Sequence, residues 1–212
     1  MKIKNILWDW NGTLINDAYL FVDIMNTTLA QHGLPLITLQ KYKNNFCFPV
    51  QTFWKGLGFK FNKNQFQKMN AEFIALYQSK MKEANLQRGA LQVLSFAKKN
   101  SIKQFILSAS EHKILNELAV SYKIEGYFSD IVGVDNLNAS GKVELAQSLI
   151  QKHGMNPKET VVIGDTFYDA DVAQSIGSGL ILVACGHFKK QRLLGKNVVV
   201  VDSLVDLLPF LL

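Results

Sequence analysis

KNILWDWNGTL, residues 4–14, carries a short apolar run, Ile6-Leu7-Trp8, that ends on the acid Asp9. Two residues later stands Asn11, an amide with the shape of aspartate but no titratable proton, and then Gly12. An apolar run of this length bounded by turn residues fits a buried strand of a parallel sheet. A carboxylate just past such a strand stands at the edge where open α/β sheets bind ligands. Fold and function both depend on whether the rest of the chain repeats this pattern.

It does repeat. Apolar runs recur as KQFIL (103–107), IVGV (131–134), TVVIG (160–164), LILVA (180–184) and VVVV (198–201). Segments 144–153 and 169–176 between the later runs have helical period. Strand–helix alternation predicts an α/β fold, a parallel sheet with helices on both faces. One interval departs from it. Residues 17–86 contain no convincing strand and read as helices over 17–32, 38–45, 49–57 and 63–84. The expected organisation is therefore a core of residues 1–16 and 87–212 with a small all-helical domain, 17–86, inserted after the first strand. Its aromatic stretch FCFPVQTFWKGLGF (46–59) reads as packing core rather than a ligand cage.

Composition excludes several classes. At 212 residues, 48% apolar and 19% charged, the chain is a globular domain and not a disordered one. The N-terminal apolar run is too short for a signal peptide. Asp202, Asp206 and Pro209 break the apolar C-terminal stretch well short of a membrane span. Cys47 and Cys185 have no metal-type spacing and read as reduced thiols, so a cytoplasmic protein without membrane partners is expected. The net charge of +6 could attract anions, yet the basic residues are dispersed and no nucleic-acid motif accompanies them. The densest group, Lys189, Lys190, Arg192 and Lys196, reads as a solvated helix face. A monomer or a homodimer fits equally.

Four polar residues follow apolar runs or open helices at the same sheet edge: Asp9, Ser108, Lys142 and Asp165. With Asp169, the two other acids bring three negative charges into one crevice, where carboxylates raise one another's pKa unless cations pair with them. A divalent ion and Lys142 balance that charge to zero, and hard oxygen ligands favour Mg²⁺. Asp165 and Asp169 are four residues apart, so one helical turn can aim both at an ion. Asp171 points elsewhere. Ser108, the backbone N–H of Ala109 and Lys142 supply donors suited to phosphate oxygens.

In order, DWNGTL, the serine of ILSAS, the lysine of SGK and GDTFYD resemble the four motifs of the haloacid dehalogenase superfamily, in particular its phosphoglycolate-phosphatase-like members with a helical cap. The resemblance implies a Rossmann-like core, a mobile cap, and hydrolysis of a small phosphorylated substrate. It implies that Asp9 attacks phosphorus to form an aspartyl-phosphate while Ser108 and Lys142 hold the transferring group. It places Asp9, the Asn11 main-chain carbonyl and Asp165 on Mg²⁺, with Asp169 close by and Thr13 steadying the first loop. The departure is Asn11, since the family's phosphatases usually carry an acid/base Asp there and an amide cannot exchange that proton. Slow turnover is one consequence; a phosphate-binding or regulatory protein with little turnover is the alternative. Asp17 reads as an N-cap of the first inserted helix, with a substitute base as the lesser reading. His187 reads as a structural or surface histidine near the crevice, and Arg88 as a solvent-facing linker residue.

Overall fold

The computed structural model describes residues 2–134, 141–195 and 198–212. Six strands form one sheet: β1 (Asn5–Trp8), β4 (Lys103–Glu111), β5 (Asp130–Val134), β6 (Thr160–Gly164), β7 (Gly179–Val183) and β8 (Val199–Val201). Their order is β5-β4-β1-β6-β7-β8, and every pairing is parallel. The chain runs outward from β1 first to one side and then to the other. The topological switch point therefore lies at the C-terminal end of β1, where Asp9 sits.

All four residues of β1 are buried, which accounts for an uninterrupted apolar run instead of alternation. Leu7 joins Phe105 and Val162 under α7 (Lys142–Lys152) and α8 (Phe167–Ile176). Ile6 and Trp8 point to the opposite face, with Ile106 and Ile163, against α5 (Ala90–Lys99) and α6 (His112–Ser121). The expected Rossmann-like α/β architecture is therefore present, with helices on both faces.

β4 is longer than the expected 103–107. It continues to Glu111 through a register irregularity after Leu107. Ser108 accepts the Ser110 N–H at 3.0 Å, a local bond that replaces ladder pairing and bends the strand end.

Residues 18–83 are helical in the main: α1 (Ala18–Gln31), α2 (Leu39–Asn45), α3 (Val50–Gly56) and α4 (Lys63–Lys80), then a 3₁₀ turn Met81–Glu83. Asn62 and Gln65 form a reciprocal capping box that starts α4. The long helix expected to reach residue 84 stops at Lys80. The strand-free interval also needs correction at its end. Asn85–Leu86 (β3) pairs antiparallel with Ile15–Asn16 (β2), so a short two-stranded ribbon carries both connections between the helical insertion and the sheet. Two residues per strand are too few to leave a periodic signal. The aromatic stretch packs the insertion in part, since Phe46, Phe53, Trp54 and Phe59 are buried, but Phe46, Phe48 and Trp54 also line a cavity, so the reading as packing core alone is corrected.

Candidate active site

Asp9 leaves β1 buried, and its backbone N–H donates to Ile163 O of β6 at 2.9 Å. Asp165 follows β6, and Asp169 lies in the first turn of α8; each is 1% exposed. The three carboxylates present oxygens within 4.8 Å of one another. Lys142 opens α7 behind Gly141, whose φ of 99° is left-handed. Its Nζ lies 2.6 Å from Asp9 Oδ1 and 2.7 Å from Asp169 Oδ1, an ion triad almost closed to solvent. Ser140 of the SGK motif lies outside the described residues.

Asp169 has two tasks. One oxygen accepts from Lys142; the other accepts from the N–H groups of Asp165 and Thr166 and from the Thr166 hydroxyl, closing a capping box at the start of α8. Thr13 Oγ1 donates to Asp9 Oδ2 at 3.2 Å and approaches Asp165 Oδ1 at 3.4 Å. Gly12 is required here by both conformation and space: its φ is +75°, and a Cβ would collide with Asp165 and His187.

The electrostatics reflect crowding. Burial, aided by Asp169 and opposed by Lys142, raises Asp9 to about 6. Burial, with Asp9 and Asp169 adding to it and His187 opposing it, raises Asp165 to about 8. Burial alone would lower the Lys142 pKa, but Asp169 and Asp9 outweigh it and keep the ammonium charged. Perturbed groups concentrated in one crevice mark a functional site. The donors are hard oxygens, and the excess of carboxylate charge over Lys142 matches the needs of a small divalent cation, so these residues fit one.

A cavity of about 530 Å³ opens above the cluster, between the helical insertion and the sheet edge. Asp9, Asn11, Ala109, Lys142 and Asp165 reach its wall. Thr13, Ser108 and Asp169 are buried behind that wall and bear on its members. The structure thus gathers all eight sequence-derived residues at one place. Asp171 is exposed, as expected, and so is Arg88, which stays off the cavity wall.

A second constellation adjoins the first, one that local sequence pattern hardly marks. Asp17 immediately precedes α1, yet its carboxylate makes no capping bond. Instead it is fully buried and accepts from Gly12 N at 2.8 Å, Asn11 Nδ2 at 2.6 Å and Tyr77 Oη at 2.6 Å. His187 is 4% exposed, so the surface reading is corrected. Its Nε2 lies 3.2 Å from Asp17 Oδ1, an ion-pair distance without hydrogen-bond alignment, and its Nδ1 hydrogen-bonds Tyr42 Oη at 2.8 Å. Its backbone N–H donates to Asp165 in a short bond. Burial would raise Asp17, but His187 and the donors from Tyr77 and Asn11 hold it below its ordinary value. Ser110 Oγ donates to Asn11 Oδ1 at 2.8 Å, so both ends of the amide are engaged. Tyr42, Tyr77 and Ser110 were missed. Ser110 had a signal, its place in ILSAS after a strand; Tyr42 and Tyr77, on helices, had none.

The basic group also changes. Arg192 is half-buried, stacks on Phe188 at 4.0 Å and donates to Lys43 O, while Lys190 pairs with Asp202. Lys196 lies outside the described residues. Cys47 and Cys185 are free thiols, and among the described residues no helix is long and apolar enough to cross a membrane.

Fold and site together define a doubly wound α/β enzyme with a carboxylate–lysine cluster at its switch point. The chain belongs to the haloacid dehalogenase-like hydrolase family, whose model matches residues 6–183. It is 20% identical to Phosphoglycolate phosphatase 1 of Pseudomonas aeruginosa, over 96% of this chain and 78% of that one. Among solved structures it resembles a haloacid dehalogenase-like family hydrolase from Streptococcus pneumoniae, with a TM-score of 0.79, 21% identity and 98% coverage of both chains. It also resembles a predicted phosphoglycolate phosphatase from Haemophilus somnus, with a TM-score of 0.77, 18% identity, and 99% of this chain and 98% of that one covered.

Proposed function

We propose that the chain is a cytoplasmic, Mg²⁺-dependent phosphomonoesterase working through an aspartyl-phosphate on Asp9. The observation that carries this is the Lys142 ammonium held 2.6 Å from Asp9 within a cluster of three buried carboxylates that opens into a cavity. Asp9 attacks phosphorus, the ester oxygen leaves, and water then cleaves the acyl phosphate to release inorganic phosphate. Lys142 and the Ala109 N–H hold the equatorial oxygens, and Asp169 holds Lys142 in place. Asp9, the Asn11 carbonyl and Asp165 would hold Mg²⁺, with Asp169 nearby. Bound there, the ion would draw charge from the phosphate oxygens and so assist attack by an anionic nucleophile. The division into a core of 1–16 and 87–212 and a hinged cap of 17–86 belongs to the same proposal. It is supported by the ribbon that carries both connections.

Asn11 supports a second reading, a phosphate-binding protein with little turnover, because its amide can neither protonate the leaving oxygen nor activate water. One experiment separates the two. Phosphate release from a panel of monoesters should require Mg²⁺, stop with chelator and stop in Asp9→Asn. Full release in chelator or in Asp9→Asn overturns the phosphatase reading. Mg²⁺-dependent binding of a phosphate mimic without release favours the second.

A further inference from the structure

The cavity above Asp9 differs in character from its floor. The insertion walls it with Phe21, Met25, Phe46, Trp54, Phe73 and Ile74. The insertion's polar contributions to the wall, Gln51, Asn70, Tyr77 and Gln78, are uncharged in their ordinary states. Lys41, Lys55, Lys60, Lys63, Lys68 and Lys82 are exposed and stay off it. Among the described residues, only Lys142 and His187 bring basic side chains to the cavity. Both belong to the floor and are already engaged, Lys142 with Asp9 and Asp169, His187 with Asp17. Among the described residues, the wall away from the floor carries one acid, Glu111, which accepts from Gln78 Nε2 at 3.3 Å.

This distribution sets what can occupy the space beyond the phosphate. A second anionic group, such as the carboxylate of phosphoglycolate, would lose its water, find no cation and face Glu111. Burying an unpaired carboxylate is strongly disfavoured. An uncharged apolar group meets aromatic and aliphatic surface instead and gains from leaving water. At about 530 Å³ the cavity is far larger than a two-carbon acid needs and lies in the range that takes up drug-sized ligands.

We propose that the site takes phosphate monoesters of bulky, uncharged, apolar alcohols and discriminates against small esters bearing a second anionic group. The inference rests on the phosphatase reading for the position of the phosphate. Its test can nevertheless fail separately from that reading.

The test uses the Mg²⁺-loaded protein and non-hydrolysable phosphonates, with binding read by calorimetry. Ethyl-, butyl- and octylphosphonate should bind progressively tighter, by about threefold to fourfold per methylene buried, so that octyl exceeds butyl by at least about thirtyfold. Phosphonoacetate should bind at least about tenfold more weakly than ethylphosphonate. Ile74→Arg puts a cation on a half-buried wall position and should reverse the preference for ethylphosphonate over phosphonoacetate and weaken the chain-length series, with a cooperative thermal melt showing that the variant is folded. Affinity independent of chain length, no binding of octylphosphonate, or tighter binding of phosphonoacetate overturns the proposal. The matching n-alkyl phosphates share one type of leaving oxygen, so their phosphate release reports on the phosphatase reading. A chain-length series in binding without release from any ester upholds the apolar specificity and removes the phosphatase; release fastest from phosphoglycolate does the reverse.

Discussion

Asn11 Nδ2 donates to Asp17 Oδ2 at 2.6 Å, and Asp17 is fully buried. The amide is therefore not merely a lost acid: it is the donor that a buried carboxylate needs. An acid at position 11 would set two carboxylates against each other, while Ser110 and Tyr77 could satisfy only part of the added charge. Asn11→Asp alone should destabilise the protein by about 1.5–3 kcal/mol, the worth of a hydrogen bond to a charged group. Any gain in rate should be masked by mutual protonation of the two acids. The exchange Asn11→Asp with Asp17→Asn restores one carboxylate and one amide. With His187→Leu added, so that no buried imidazole is left facing an amide, it should recover most of the stability and raise hydrolysis of alkyl phosphates at least about tenfold, a cautious part of the 10²–10⁴ available to a positioned acid/base. Denaturant unfolding and alkyl phosphate turnover of the two variants check this. A single variant as stable and as fast as the exchanged one would show that the 11–17 contact does not govern the site.

Asp17 also faces His187: burial opposes the charged imidazole, but the Asp17 carboxylate outweighs it and holds the ring above the ordinary histidine value. Asp17→Ala removes this partner and leaves the donors Gly12 N and Tyr77 Oη unsatisfied. The expected loss is about 3–5 kcal/mol in urea unfolding, the cost of removing one half of a buried pair, and adding His187→Leu should return part of it because no buried imidazole is then left without its carboxylate. A loss below about 1 kcal/mol in the single variant would contradict the pairing.

The sequence revealed the sheet and the first carboxylate cluster for a shared reason. Ile6-Leu7-Trp8 and Val161-Val162-Ile163 are buried on both faces, and such strands leave continuous apolar runs whose ends can be read residue by residue. Asp9, Asp165 and Lys142 are adjacent to those ends or to a glycine that begins a helix. The Asp17–His187–Tyr77–Tyr42 constellation joins residues up to 170 positions apart, as between Asp17 and His187, and local pattern carries no record of such pairing. Asp17 was misread because an acid before a helix is a common cap, while here Gly12, Asn11 and Tyr77 compete for its oxygens and win. His153 shows the same limit: it ends α7 and contacts Asp130 of β5 at 2.9 Å, a partner that no spacing indicates.

That contact gives a pH dependence away from the active site. Partial burial would raise Asp130, but hydrogen bonds from Lys152 and His153, the Lys152 charge and the Ile131 N–H outweigh it and hold the carboxyl below its ordinary value of 3.8. A carboxyl depressed in the folded state stabilises fully above its unfolded pKa, and that contribution disappears as pH falls through the folded one. Asp130 is part-exposed and its partner Lys152 is exposed, so the pair is worth about 0.2–1 kcal/mol. Asp130→Asn should therefore be less stable than the parent by that amount above about pH 5, with the gap closing below about pH 3. Thermal melts across this range measure it, and a gap that widens toward acid would reverse the sign.

Asp169 and Asp171 stand two residues apart in GDTFYDAD, and their substitution to asparagine should separate positioning from surface charge. Asp171 is exposed, so Asp171→Asn should stay within about 0.5 kcal/mol of the parent with unchanged turnover. Asp169 is 1% exposed and serves Lys142 with one oxygen and the α8 capping box with the other. An amide can accept through only one atom, so Asp169→Asn must give up either the lysine or the cap. The expected loss is about 3 kcal/mol, the lower end for breaking a buried ion pair. Because Asp169 acts on phosphate through Lys142, the kinetic change should include a higher KM for phosphate esters and a weaker affinity for inorganic phosphate. A purely structural role would lower the amount of folded enzyme and leave KM unchanged. Unfolding curves combined with kcat and KM of the folded fraction distinguish the two, and an unchanged KM in Asp169→Asn would remove Lys142 positioning from the account of the site.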